Sequence, residues 1–233
     1  MPEPTANLME FETIGQSLFD LFFPKRCVNC GSVLSENTPL CISCTSRLPF
    51  THWHLDGQNA GFAKLRILCE TEAAYSLLYF RHENVTQKLL HSLKYENRPE
   101  IGKLLGELAL REINPAGYDG IIPVPIHPKK LKKRGYNQVV PFASTLAEKS
   151  GIPLTEDFLI RVENNPSQVF KNREKRLNSI QNAFSLTDKN LEGRFILIDD
   201  ILTTGATIST CINLIHSKHP SLKISVMTIA CAV

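Results

Sequence analysis

Two short stretches of this chain combine reactive residue types with spacing that lets them act together. The first is Cys27-Val-Asn-Cys30-Gly, ten intervening residues, then Cys41-Ile-Ser-Cys44. A CxxC turn points two thiolates at one centre, and two such turns supply the four ligands of tetrahedral zinc. Four thiolates leave no open coordination position, so that zinc would be structural rather than catalytic. Two unrelated CxxC pairs, or a thioredoxin-like redox site, are the competing readings. A redox site needs one CxxC beside a βαβ pattern, and none is here. The second stretch is Phe195–Thr210, FILIDDILTTGATIST, in which Asp199 and Asp200 precede Thr203, Thr204, Gly205, Ala206 and Thr207. Hydroxyls, a glycine and free N–H groups at a helix start suit a phosphate. Carboxylates repel phosphate, but they accept from sugar hydroxyls or hold a magnesium ion bound with the sugar. A single ligand that satisfies both halves is a ribose 5-phosphate.

A third set is basic. Lys129, Lys130, Lys132, Lys133, Arg134, Lys171, Arg173, Lys175 and Arg176 gather 9 of the 26 basic residues into two segments, although the net charge is only +3. Local clusters of this kind read as polyanion sites. Five cations within the six residues Lys129–Arg134 can neutralise a diphosphate. The bland alternative is a solvated basic loop.

These groups need elements to position them. Phe195–Ile198 is a continuous apolar run, as in a buried parallel strand, and the Thr-rich segment opens a helix through Ile208, Ile212 and Ile215. Upstream, the pattern predicts a strand over Ala73–Phe80, helices over Val85–Leu93 and Ile101–Ile113, and a strand over Tyr118–Ile126. Pro123 and Pro125 make that strand unusual, since central strands avoid proline. A basic loop and a helix over Val139–Glu148 follow, then a core strand over Leu154–Val162 and a last strand over Lys223–Ala232. Residues 8–23 carry Phe11, Ile14, Leu18 and Phe22 at helical spacing. Residues 45–71 look irregular. His52 and His54 form a His-x-His pair that the complete cysteine set makes unnecessary as a ligand. Cys69, Cys211 and Cys231 read as core.

The length of 233 residues fits one α/β domain of roughly 150 residues and a small appendage. The division expected is 1–50 for the helix and finger and 51–233 for the α/β domain. Hydrophobic content of 42% and charged content of 21% describe a globular protein. No apolar run reaches the roughly 20 residues of a membrane span. The start, MPEPTANLMEFE, lacks the basic and apolar regions of a signal peptide. The expectation is a cytoplasmic protein whose seven cysteines form no disulfide framework.

Ile198–Thr207, IDDILTTGAT, resembles the phosphoribosyl pyrophosphate (PRPP) signature of type I phosphoribosyltransferases. Leu93-Lys-Tyr-x-x-x-Arg98, the string PVPxHxxxLxxRGxNQ from Pro123 to Gln138 and the four-cysteine finger are similar to the ComF/GntX family of competence proteins. The resemblance implies a type I phosphoribosyltransferase fold, a parallel sheet with helices on both faces, plus the N-terminal four-cysteine zinc finger. It assigns Asp199 and Asp200 to the ribose hydroxyls, as the catalytic acids, with magnesium. Thr203, Thr204, Gly205, Ala206 and Thr207 would hold the 5-phosphate, and Lys129 to Arg134 would lie near the pyrophosphate. A loop over Asn164–Phe184 would close on the substrate. In that loop the family has an Asn three residues after the Arg matching Arg176. This chain has Ser179 there and Asn178 one place earlier, so it departs from the family at that position.

Two functional readings follow. In one, the chain acts in DNA uptake and natural transformation. It would bind single-stranded DNA through Lys130, Lys132, Lys133, Arg134, Lys171 and Arg173, alongside a competence helicase (ComFA-like) and DNA-processing proteins. In the other, it is a metabolic phosphoribosyltransferase with no DNA role. Single-strand binding usually needs aromatic platforms, and Tyr136 and Phe170 are the only aromatics in the two basic segments. A PRPP-sensing transcription regulator is disfavoured, because no helix-turn-helix is evident in the N-terminal part. Asp199 and Asp200 should repel each other and stabilise nothing in the empty protein, so exchange for Asn should leave stability unchanged or raised.

Overall fold

The computed structural model describes residues 24–162 and 183–232. The helix expected over 8–23, and the segment with Lys171, Arg173, Lys175, Arg176 and Asn178, lie outside the described residues. The chain divides into two compact units, Met1–Arg47 and Leu48–Val233.

In the first unit two tight turns carry the cysteines. The Gly31 N–H donates to the Cys27 carbonyl at 2.9 Å, and Gly31 adopts a φ of 74°, which glycine enters without a steric cost. The second turn opens the short helix α1, Ile42–Thr45, where the Thr45 N–H donates to the Cys41 carbonyl at 2.9 Å.

The second unit is built on four parallel strands: β1 (Ala74–Phe80), β2 (Gly120–Pro123), β5 (Arg194–Leu202) and β6 (Lys223–Ala232). They stand in the order β1-β6-β5-β2. Two further strands, β3 (Leu159–Arg161) and β4 (Phe184–Leu186), form a separate antiparallel pair. The helices are α2 (Ala60–Leu65), α3 (Val85–Tyr95), α4 (Pro99–Glu112), α5 (Pro128–Arg134), α6 (Val140–Ser150) and α7 (Ala206–Lys218). The path from β1 to β2 crosses the sheet in one direction and the path from β5 to β6 in the other. Right-handed crossovers therefore put α3 and α4 on one face and α7 on the opposite face. Strand alternation serves both layers. Phe195 and Leu197 pack with Ile208, Cys211, Ile212 and Ile215 of α7, and Ile196 and Ile198, fully buried, point the other way. On that other face α4 and α6 meet at backbone distance: a Cβ on Gly102 would stand 2.8 Å from Pro141 Cβ.

Two expectations change. The apolar residues at Leu154–Val162 do not form a core strand. Leu154 makes one parallel bridge to Ile121, and the chain then turns away into the β3–β4 pair. Residues 45–71 are not wholly irregular, because Asn59 caps α2 by accepting from the Phe62 N–H at 3.0 Å. The prolines of β2 also find an explanation. Ile121 donates outward to the Pro153 carbonyl at 2.8 Å, whereas Val124 donates inward to Ile198 at 2.8 Å. Alternation turns the nitrogens of Pro123 and Pro125 outward, away from β5, so neither removes a ladder bond.

Candidate functional site

Asp199 and Asp200 lie near the carboxyl end of β5, with β6 on one side and β2 on the other. The loop beyond runs through Gly205, whose φ of 82° falls in the region that favours glycine, into α7. A Cβ there would press on Leu65 Cδ2 at 3.0 Å. Lys64 Nζ donates to the Thr203 carbonyl at 2.8 Å and holds the loop from the α2 side. The first N–H groups of α7 have no intrahelical acceptor, as at any helix start.

A cavity of about 280 Å³ opens over this strand end. Asp199, Asp200, Thr203 and Thr207 line it from the strand and loop, and Lys130 and Arg134 from α5. Lys94 at the end of α3, Arg161 at the end of β3, His127 and Gln138 complete the polar wall. The structure therefore brings together the carboxylates, two of the threonines and two of the α5 cations. Thr204, Gly205 and Ala206 do not line the cavity, although the Thr204 hydroxyl faces the Ala206 N–H at 3.4 Å. Lys129, Lys132 and Lys133 are exposed and do not line it.

The basic segment expected as a loop is a helix. Pro128 occupies its first turn, His127 Nδ1 accepts from the Lys129 N–H at 3.2 Å, and Gly135 closes it in a left-handed cap. None of its residues is buried, and a seven-residue helix can place its cations on opposite sides.

The two carboxylates differ. Asp200 is 7% exposed, and its Oδ2 accepts from Lys94 Nζ at 2.7 Å and from Gln138 Nε2 at 2.8 Å. Asp199 accepts the Asp200 N–H at 2.8 Å. Burial, and then the Asp200 charge, push the Asp199 carboxyl up to about 7, against the opposing pull of that N–H, Lys94 and Arg161. The expectation that neither acid stabilises the empty protein thus fails for Asp200, which is ion-paired and hydrogen-bonded. For Asp199, burial and the neighbouring charge oppose ionisation.

The sequence placed Lys94 only within a family motif, and it gave no role to Gln138 or Arg161. Gln138 is 6% exposed and also accepts from Arg134 Nη1. The Arg134 guanidinium lies 5.5 Å from the centre of the Tyr95 ring. Arg161 stacks 4.4 Å from the Phe184 ring centre. Lys94 and Tyr95 stood in a quoted motif and Gln138 closed another. For Arg161 no local signal existed, because β3 reaches the site only through the tertiary fold.

In the first unit the four Sγ atoms of Cys27, Cys30, Cys41 and Cys44 lie within 4.8 Å of one another, and Cys30 and Cys41 are 3.8 Å apart. Tetrahedral Zn–S bonds of about 2.3 Å put sulfurs about 3.8 Å apart, so the set fits zinc. Asn29 Nδ2 donates to Cys44 Sγ at 3.3 Å and the Cys41 N–H to Cys27 Sγ at 3.5 Å, contacts that favour thiolates.

Residues 18–54 match the double zinc ribbon domain family. Only four cysteines fall in that span, so this chain has the ligands for one all-cysteine site. Most of the chain is similar to proteins named for competence or DNA utilization. It is 26% identical to competence protein F of Haemophilus influenzae, over 81% of this chain and 89% of the relative. It is also 26% identical to the DNA utilization protein YhgH of Escherichia coli O157:H7, over 78% and 80%. Adenine phosphoribosyltransferase of Leishmania tarentolae overlaps 76% of this chain and 90% of its own, at 15% identity and a TM-score of 0.35, too low to add to the topology above. The chain is a zinc-ribbon, parallel α/β protein. Its likeness to competence protein F runs through most of its length. No helix among the described residues is long and apolar enough to cross a membrane.

Proposed function

We propose that the cavity binds PRPP with magnesium, and that the chain is a phosphoribosyltransferase-like protein acting on single-stranded DNA in its uptake or use. The observation that carries the ligand is the meeting of Asp199 and Asp200, Thr203 and Thr207, and Lys130 and Arg134 around one cavity of about 280 Å³. Each group suits a different part of PRPP. The acids take the ribose hydroxyls directly or through magnesium, the helix start and threonines take the 5-phosphate, and the α5 cations take the pyrophosphate. Magnesium would supply charge neutralisation at the pyrophosphate.

The DNA part is supported by the names of the relatives and by the division of α5. Lys129, Lys132 and Lys133 are exposed outside the cavity, available to a phosphate backbone while Lys130 and Arg134 face the ligand. Lys171 and Arg173 belong to this proposal only through their sequence.

Calorimetric titration with PRPP, with and without magnesium, tests the ligand. Absence of binding under both conditions removes the phosphoribosyl reading. Lys132→Ala with Lys133→Ala should weaken single-stranded DNA binding and flatten its salt dependence by roughly 0.7 in log–log slope per lost contact. PRPP titration should be unchanged in that variant. PRPP binding with pyrophosphate release to a small acceptor, and no affinity for DNA, would favour a metabolic transferase.

A further inference from the structure

Lys94 and Arg134 both belong to the cavity wall, yet their charges are used differently. Lys94 is spent on Asp200, at 2.7 Å. Arg134 makes no ion pair among the described residues; its partners there are the Gln138 amide and the Tyr95 ring, and neither carries a charge. Gln138 stands between Arg134 and Asp200. Its Oε1 accepts from the guanidinium and its Nε2 donates to the carboxylate at 2.8 Å. Both partners force that orientation, because a guanidinium offers only donors and a carboxylate only acceptors. Gln138 as a whole is 6% exposed, so the amide is shielded from water.

Consider the site without that amide. An arginine and a carboxylate that line one cavity attract each other in a medium where water screens poorly, and they favour a bidentate pair. Such a pair would cancel the arginine charge and engage a carboxylate oxygen. A neutral amide satisfies one hydrogen bond of each ion while leaving both formal charges in place. It thereby leaves the Arg134 charge uncompensated beside a carboxylate that already has Lys94 as its ion pair.

We propose that Gln138 is a positioning residue that acts as an insulator, holding Arg134 off Asp200 so that its charge stays available to the diphosphate end of a ligand. The ligand half of this statement rests on the PRPP reading; the insulating half does not. Gln138→Leu keeps the volume and removes the amide. Gln138→Glu keeps the shape and places a carboxylate on Arg134. Both should weaken binding of PRPP and of inorganic pyrophosphate by about tenfold, the scale of one charge-assisted contact. Ribose 5-phosphate, which has no diphosphate, should change less than threefold by the same reckoning. A role confined to packing would weaken all three probes alike.

A second measurement needs no ligand. Thermal melts of Arg134→Gln, Asp200→Asn and their combination form a double-mutant cycle. The coupling should be larger in the Gln138→Leu background, where the direct pair can form, than in the wild-type background, where the amide relays only an indirect coupling. Equal coupling in both backgrounds, or equal loss across the three probes, overturns the insulator. If wild-type protein binds neither PRPP nor pyrophosphate, the ligand reading fails and the cycle alone decides the role of Gln138.

Discussion

The zinc ribbon and the carboxyl end of the sheet both gather charged groups into a small volume, and they hold them by opposite means. Around Cys27, Cys30, Cys41 and Cys44 the described elements are two turns and the four-residue helix α1, which buries a single residue, Cys44. Packing of that extent does not hold four thiolates together, so a metal must organise the segment. At the sheet end, Ile196, Leu197 and Ile198 are fully buried between two helical layers, and the acids sit on a scaffold built by apolar packing. One region is shaped by what it binds. The other is shaped in advance, and it keeps the repulsion between its acids in check with Lys94 and Gln138.

The largest effect should come from breaking the first kind of site. Cys41→Ser should take zinc content from about one per chain to a small fraction, since structural zinc contributes about 10–16 kcal/mol to such segments. Amide hydrogen exchange of residues 24–47 should become fast while that of β5 and β6 stays slow. Metal-free wild-type protein with a protected ribbon would contradict the comparison.

At the sheet end, neighbouring acids should respond with opposite signs. Asp200→Asn strands Lys94, whose side chain is 23% exposed, and should cost about 2 kcal/mol, between the values for exposed and buried pairs. The melting temperature should fall by about 4–8 °C. An unchanged melt would mean that the ion pair contributes nothing.

The effect of Asp199→Asn depends on pH. The folded protein raises this carboxyl from 3.8 to about 7, so the native state holds a proton that the unfolded chain has lost. Wild-type stability should therefore decline as pH rises through that window. The Asn variant lacks that decline. It should melt above wild type near and above neutral pH and show no such gain below about pH 4. Parallel melting curves at all pH values would remove burial and repulsion as features of Asp199.

Local chemistry was legible wherever a motif is contiguous. The two CxxC turns and the ten residues from Ile198 to Thr207 give both residue type and geometry, because a turn or a strand–loop–helix fixes them. Most element positions followed from periodicity, and β6 matched residue for residue. The α5 helix was missed although His127, Pro128 and Gly135 are start and stop signals, since charge density dominated the reading. Leu154–Val162 was misread because an apolar run says nothing about which strand it pairs with. Lys94, Gln138 and Arg161 acquire their roles only when the end of α3, the turn before α6 and β3 converge, and that convergence is a property of the topology.

The strand order β1-β6-β5-β2 also sets a timetable. Ala74–Phe80 is paired along one side by Lys223–Ala232, which the ribosome makes last among the described strands. At about 5–20 residues per second, β1 would wait on the order of ten seconds for that neighbour. Its buried leucines, Leu77 and Leu78, would meanwhile have an incomplete sheet to fold into. The strand that seals β1 also flanks the acid-bearing β5, so the nascent chain would acquire a closed sheet and a finished site in the same event.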